Sequence, residues 1–431
     1  MKEITTNEMI RILLKGEKVE NCKIIGEINH QTLAPLMRYE RHTNEWHITE
    51  KLIFKKCVFD VIDFRQVCFE NRFEMRYCTI RRAIFKKAKF KDVANFSTTR
   101  FVESANFDET WFFWSAYFSS TVFECDAGFF FAYFKEWLIF HSASFSKGVN
   151  FTGATFEKRA LFGGITARTV KMTNTHFFDV FAFNSKQDTD TSIHELDLTG
   201  CDSLKNINLS TLHCKTIILN NLSCKGTLNL SETAFEKIDL TDTNYGELTI
   251  DLKDLFQDEK SSSKLLIAED KNLNKSLIEI CARLKANSQK LGMRDHEDLL
   301  YRRIRRIEAV RKKSEKKHLQ YIIDKYILDY LFGYGTLPYR AFAASILTIL
   351  AFTITYLLFG ISNVHPSVFD EKFTLASILN YLYFSTITFT TIGYGDISPK
   401  GFPKLIAATE GFLGVFMMGA FSVTFARKLL R

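Results

Sequence analysis

The sequence predicts a multi-domain chain: a right-handed quadrilateral β-helix, then an α-helical linker, then an all-α two-helix transmembrane module with a re-entrant loop. Three observations carry this prediction. Phenylalanine recurs every five residues from Phe54 to Phe69 and every five or six from Phe85 to Phe162, a charge-dense helical stretch follows, and two long, almost uncharged runs lie near the end of the chain. The 431 residues leave room for two or more such units.

Bulk composition narrows the function classes. A hydrophobic content of 46% and an aromatic content of 14% can fill a large core. Forty-two Phe against four Trp point to one residue type used repeatedly for one task. The net charge of +8 is modest and the basic residues concentrate in one segment, which argues against a chain-wide nucleic-acid surface. The nine Cys all precede residue 300, are odd in number and show no CxxC spacing. That pattern argues against zinc and disulfide frameworks and for reduced, buried thiols in a cytosolic domain. Residues 1–20 lack the apolar run of a signal peptide and read as a short amphipathic helix; 1–50 are expected to form an N-terminal cap of that helix and a first coil.

The repeat occupies 51–165. Phe54, Phe59, Phe64 and Phe69 step by five; from Phe85 through Phe90, Phe96, Phe101, Phe107 and on to Phe162 the steps alternate five and six. Two places before most of them stands a small residue, as at Ala83, Ala88, Ala94, Ala105 and Ala116. Neither a period of 3.6 nor one of 2 gives this spacing, whereas a short period held this long means a solenoid. Each side of a square coil would turn one large and one small residue inward, with four sides making a coil of 20 or 22 residues. Phe85, Phe107, Phe129 and Phe151 would then form one column, and three similar columns would fill the other corners.

The units ANFST, ANFDE and VNFTG make this stretch resemble the pentapeptide-repeat family, with Phe at the centre and a sixth residue on alternate sides. That resemblance implies a shaped surface for scaffolding or assembly. A subset of the family mimics DNA with an acidic rod, but 51–165 hold 17 Lys/Arg against 12 Asp/Glu, the wrong sign. The phase breaks over 166–195, read as an insertion or irregular coil. From 196 to 260, LDL, INL, IIL, LNL and IDL at steps of ten or eleven are read as degenerate coils.

The segment 261–337 has helical periodicity with a break at Gly292. Between Arg302 and Lys317 stand nine Lys/Arg and two acids. Just upstream of an apolar span, such a run marks the cytoplasmic side and meets anionic headgroups of the lipid bilayer rather than nucleic acid.

The last unit is 338–431. Residues 341–361 carry no charge and, at about 31 Å, are long enough to cross a bilayer. Residues 405–426 form a second span whose one charge is Glu410. Basic residues before the first span and after the second place both termini in the cytoplasm, as a multi-pass protein of the plasma or inner membrane. The stretch 373–390 between the spans is too apolar for an exposed loop and too short for a third crossing. A re-entrant helix over 374–388, capped by Thr374 and carrying Tyr383, Thr388 and Thr390, accounts for it; extended backbone then returns through 391–396, TIGYGD. Its glycines permit the φ values that aim successive carbonyls at one axis.

Thr391, Ile392, Gly393, Tyr394, Gly395 and Asp396 resemble the selectivity-filter signature of the potassium-channel pore family, and the order of outer helix (341–361), pore helix, filter and inner helix (405–426) matches its two-helix members. The resemblance covers 338–431. It implies a homotetramer around one axis, with permeant K⁺ held by the backbone carbonyls of Thr391, Ile392, Gly393 and Tyr394, and no other cofactor. It also places a candidate gating hinge at Gly414, although Gly411, Gly414 or Gly419 could equally serve close helix packing. Glu410 is expected to make a polar contact behind the filter. A second GYG, Gly333-Tyr334-Gly335, lacks the flanking pattern and reads as an interfacial turn. No arginine ladder, nucleotide fingerprint or catalytic constellation is visible, so the chain is expected not to be an enzyme, and the solenoid is the remaining candidate regulator. The rival reading is a membrane-anchored interaction protein with a weakly selective or vestigial pore.

Overall fold

A computed structural model describes residues 1–42, 45–183, 191–255, 273–361 and 375–429. The chain divides into two compact units, Met1–Ser276 and Leu277–Arg431.

The first unit is a parallel β-solenoid. It opens with strand Lys2–Thr5, paired in parallel with Cys22–Ile25, and with helix Thr6–Leu14, whose Thr5 and Glu8 form a capping box. Among the described residues, every strand pairing is parallel except one hairpin, Met37–Glu40 with Glu45–Ile48. The columns expected from the spacing of Phe are present. Phe85, Phe107, Phe129 and Phe151 stack with centroids 4.8–4.9 Å apart. Three further stacks run through Phe90, Phe112, Phe134 and Phe156, through Phe96, Phe118 and Phe140, and through Phe101, Phe123 and Phe145. The spacing equals the distance between neighbouring strands, so each ring lies on the ring of the coil below. The alanines two places earlier are buried with them.

The coils close by a turn at each five-residue step. In Phe85-Lys86-Lys87-Ala88 the Ala88 N–H donates to the Phe85 carbonyl over 2.9 Å, with Lys87 at φ +62°. That is type II turn geometry, which requires positive φ at the third position. The same left-handed residue recurs every eleven positions, at Thr98, Glu109, Ser120, Phe131 and Ser142. Where the residue after it is threonine, its buried hydroxyl donates to a carbonyl of the coil before, as Thr110 to Phe85 and Thr121 to Phe96.

One expectation needs correction, and one pair of alternatives is narrowed. A 20-residue coil does not occur where Phe steps by five: Phe59 pairs with Ile80, a step of 21, whereas Phe101 pairs with Phe123, a step of 22. The extra residue is taken up in the longer sides, so inward positions stay in register. Of the two readings of 166–195, insertion or irregular coil, the strands fit the irregular coil. Strands Thr166–Lys171, His176–Phe177 and Phe181–Ala182 continue the coils in register, and Thr191–Asp197 resumes them. Phe181 pairs with Ile207, a step of 26 rather than 21. The surplus lies between Phe183 and Thr191, where 184–190 fall outside the described residues. Beyond, Leu196, Leu198, Ile207, Leu209, Ile217, Leu219, Leu228 and Leu230 fill the core, so the I/L-x-L steps are coils with aliphatic columns. All nine cysteines are buried thiols.

The second unit is helical. Helices Leu273–Lys290 and Arg294–Ser314 flank a turn with Gly292 at φ +67°, the predicted break. A further helical stretch, His318–Ile322 continuing as a π-helix over Ile323–Leu331, carries exposed Leu319, Ile322, Tyr326 and Tyr330. The basic run is only partly surface. Arg306 makes two 2.8 Å hydrogen bonds to the Asp329 carboxylate, Lys312 pairs with Asp324 over 2.7 Å, and Arg302 is buried with Nη1 donating to Thr336. The second GYG is a 3₁₀ turn with all three residues at positive φ. Three helices complete the unit: Pro338–Phe359, Leu375–Phe389 and Phe402–Leu429. The first and last are long and apolar enough to cross a membrane, and most of their surface is exposed.

Candidate functional site

The short helix Leu375–Phe389 packs between the two long apolar helices. Its apolar side chains Tyr381, Phe384 and Ile387 are buried with Tyr356 of the first long helix, and Phe389 is buried with Ala341, Ala344 and Met417. Thr374, the expected cap, lies outside the described residues. Tyr383, Thr388 and Thr390 fall at the positions expected, on or just past this helix.

At its end the chain leaves the helix in a tight wrap. The Thr390 N–H donates to Thr386, Thr391 N–H to Thr388, and Ile392 N–H to Ile387, over 3.0–3.1 Å. From there the sign of φ alternates: Thr391 +60°, Gly393 +50° and Gly395 +82°, with Ile392 and Tyr394 not in the left-handed region. Two of the three positions are glycine, which takes positive φ without a steric cost. The third, Thr391, is held by its turn and by its hydroxyl on the Thr390 carbonyl. Residues 391–396 are exposed, Ile392 at 57% and Tyr394 at 71%. The Ile392 and Tyr394 side chains are thus largely unpacked within this chain. The segment's far end is tied back to the helix by the Tyr383 hydroxyl, 2.9 Å from Asp396 Oδ2.

Glu410 is fully buried and bridges three helices. The Tyr356 hydroxyl donates to its Oε2 over 2.7 Å, and the Ser385 hydroxyl lies within hydrogen-bond reach of both its Oε1 and, at 2.9 Å, the Ile349 carbonyl. Sequence reasoning placed Glu410 behind the 391–396 segment but named no partner. The signal that could have found them is the hydroxyl residues standing alone in apolar runs, since each must be satisfied inside the protein at membrane depth.

Gly414 has a plain packing reason. A Cβ there would lie 1.9 Å from the Phe389 carbonyl oxygen, so the last helix crosses the end of the short helix at backbone contact. Gly411 has only Thr388 at 3.7 Å, and Gly419 nothing within 4 Å. The helix is continuous from Phe402 to Leu429.

Residues 343–431 match the family described as ion channel. Comparison with curated proteins and with solved structures gives no match. The C-terminal part of the chain is thus an ion-channel domain of the two-helix type, joined to a solenoid consistent with pentapeptide repeats, and it holds two helices long and apolar enough to cross a membrane.

Proposed function

We propose that the chain is a subunit of a K⁺-selective channel, conducting passively through a homotetrameric pore in the plasma or inner membrane with both termini cytoplasmic. The observation that carries this reading is the alternating φ of Thr391, Gly393 and Gly395 in an exposed segment behind a short helix. Alternation of this kind turns successive carbonyls toward one side of the backbone. Four such segments around an axis replace the hydration shell of K⁺ with the oxygens of Thr391, Ile392, Gly393 and Tyr394. Exposed Ile392 and Tyr394 then find their packing against the neighbouring subunit, as do Phe412, Val415 and Phe416 of the last helix. The short helix points its C-terminal, negative end toward the axis, favouring a cation there.

The apolar residues of 319–331 beside Lys313 and Lys325 suit an interfacial helix against anionic headgroups. The solenoid is the regulator in this reading: removing 1–260 changes open probability and leaves ion preference unchanged.

The test is K⁺ and Na⁺ flux into liposomes holding the purified full chain. K⁺ uptake abolished by Gly393→Ala supports the reading. Equal uptake of both ions refutes selectivity, and no flux from either full-length or solenoid-deleted protein refutes conduction.

A further inference from the structure

The conduction reading leaves unused two buried side chains on the outer wall of the solenoid. His47, on strand Glu45–Ile48, pairs in register with Cys68 on Val67–Phe69, and Cys68 with Lys89 one coil further. The column continues through Trp111, Tyr133, Thr155 and His176. These positions precede the inward Phe column and, on an alternating strand, face outward; Trp111 is 42% exposed. Yet His47 is 6% exposed and Cys68 only 1%.

Carboxylates cover them. His47 Nδ1 lies 2.6 Å from Glu70 Oε1, while its Nε2 faces Glu40 Oε2 at 3.1 Å and Glu45 Oε2 at 4.0 Å. The Cys68 Sγ is 3.5 Å from Glu70 Oε1. Lys89 pairs with Glu45, and Lys91 reaches Glu70 over 3.1 Å.

We propose that Glu45, His47 and Cys68 form a binding site for a divalent transition-metal ion of the zinc class. One ligand atom from each lies within 4.8 Å of the others, the one such His/Cys/carboxylate group among the described residues. Tetrahedral zinc, with ligands at about 2.0–2.3 Å, needs its donors roughly 3.5 Å apart, so the side chains must draw in by about 1 Å. The Glu45 carboxylate is the flexible member and supplies that movement as it leaves Lys89. Mixed imidazole, thiolate and carboxylate donors favour zinc over magnesium or calcium, which take oxygen. Glu70, 2.6 Å from His47 Nδ1 and 3.5 Å from the Cys68 sulfur, is the outer partner that orients a metal-binding histidine, and water completes the set. Binding displaces the Cys68 proton to solvent, so affinity rises with pH. Linear Cys spacing could not show the site, because its donors stand one coil apart in sequence.

The experiment is a Co²⁺ titration of the purified full chain in detergent, read by the thiolate-to-cobalt charge-transfer band, with Zn²⁺ added to displace it. The proposal expects one Co²⁺ per chain, a band lost in Cys68→Ser, and binding weakened about tenfold or more in Glu45→Gln, which keeps every thiol, and in Glu70→Gln. A Cys57→Ser, Cys78→Ser chain should retain the band. No band in the unmodified chain overturns the proposal. So does a band that survives Cys68→Ser but disappears with Cys57 and Cys78, the neighbouring buried thiols, or one unaffected by Glu45→Gln. None of these outcomes depends on ion flux.

Discussion

Replacing Glu410 by alanine removes the one carboxylate shared by the two long apolar helices and the short helix between them. The Tyr356 hydroxyl then loses its acceptor while fully buried, a cost of about 1–3 kcal/mol. Ser385 loses less, because the Ile349 carbonyl stands 2.9 Å away and takes its proton. The void left by the carboxyethyl group adds roughly 1–2 kcal/mol. The sum is about 2–5 kcal/mol. Glu410→Gln keeps the shape: its amide oxygen accepts from Tyr356, and its NH₂ donates to a Ser385 that has turned to Ile349, so it should cost under about 1 kcal/mol. Tyr356→Phe falls between the two. A chain carrying Glu410→Leu, Tyr356→Phe and Ser385→Ala together should recover most of the loss, because no buried polar group is then stranded. The assay is unfolding of the full chain in mixed detergent micelles, followed by tyrosine and tryptophan fluorescence and circular dichroism. A neutral Glu410→Ala, or a Glu410→Gln as damaging as Glu410→Ala, refutes this account of the bridge.

Three further predictions follow from other parts of the chain. Gly414→Ala places a Cβ 1.9 Å from the Phe389 carbonyl and should destabilise by about 1–3 kcal/mol in the same unfolding assay, whereas Gly419→Ala should be neutral or stabilising by up to about 1 kcal/mol; a damaging Gly419→Ala would mean that this face is occupied in the assembly. Phe118→Ala removes a ring stacked 5.0 Å from Phe96 and 4.7 Å from Phe140, and should cost about 3–5 kcal/mol and speed proteolysis of the solenoid. Tyr383→Phe breaks an exposed hydrogen bond, so stability should move by less than about 1 kcal/mol, but K⁺ flux should fall because Asp396 is no longer tethered.

The solenoid was legible because its period is a property of neighbouring residues: the step between Phe residues sets which column each ring joins. The threonines at Thr99, Thr110 and Thr121 escaped the reading, since their role is to satisfy a carbonyl a full coil earlier in sequence. The same distance hid the partners of Glu410, for Tyr356 lies 54 residues away and Ser385 25. The coil length was misjudged because the spacing of inward rings fixes the phase of the sides but not how many residues each corner consumes. Over 166–195 the phase of the Phe residues breaks, which left insertion and irregular coil as equal readings; Val170, Met172 and Phe177 fill the same core with a mixed set. The segment 391–396 was readable from its residue types, since Gly393 and Gly395 stand where the backbone takes positive φ. The positive φ of Thr391, by contrast, comes from the turn that ends the short helix and from no local preference of threonine.

The most direct test of the central claim is the reversal potential of the reconstituted full chain under opposing K⁺ and Na⁺ gradients. A potential close to the K⁺ equilibrium value, absent in Gly393→Ala, is the predicted result. A potential midway between the K⁺ and Na⁺ values in the unmodified chain would contradict a carbonyl-lined, K⁺-selective pore.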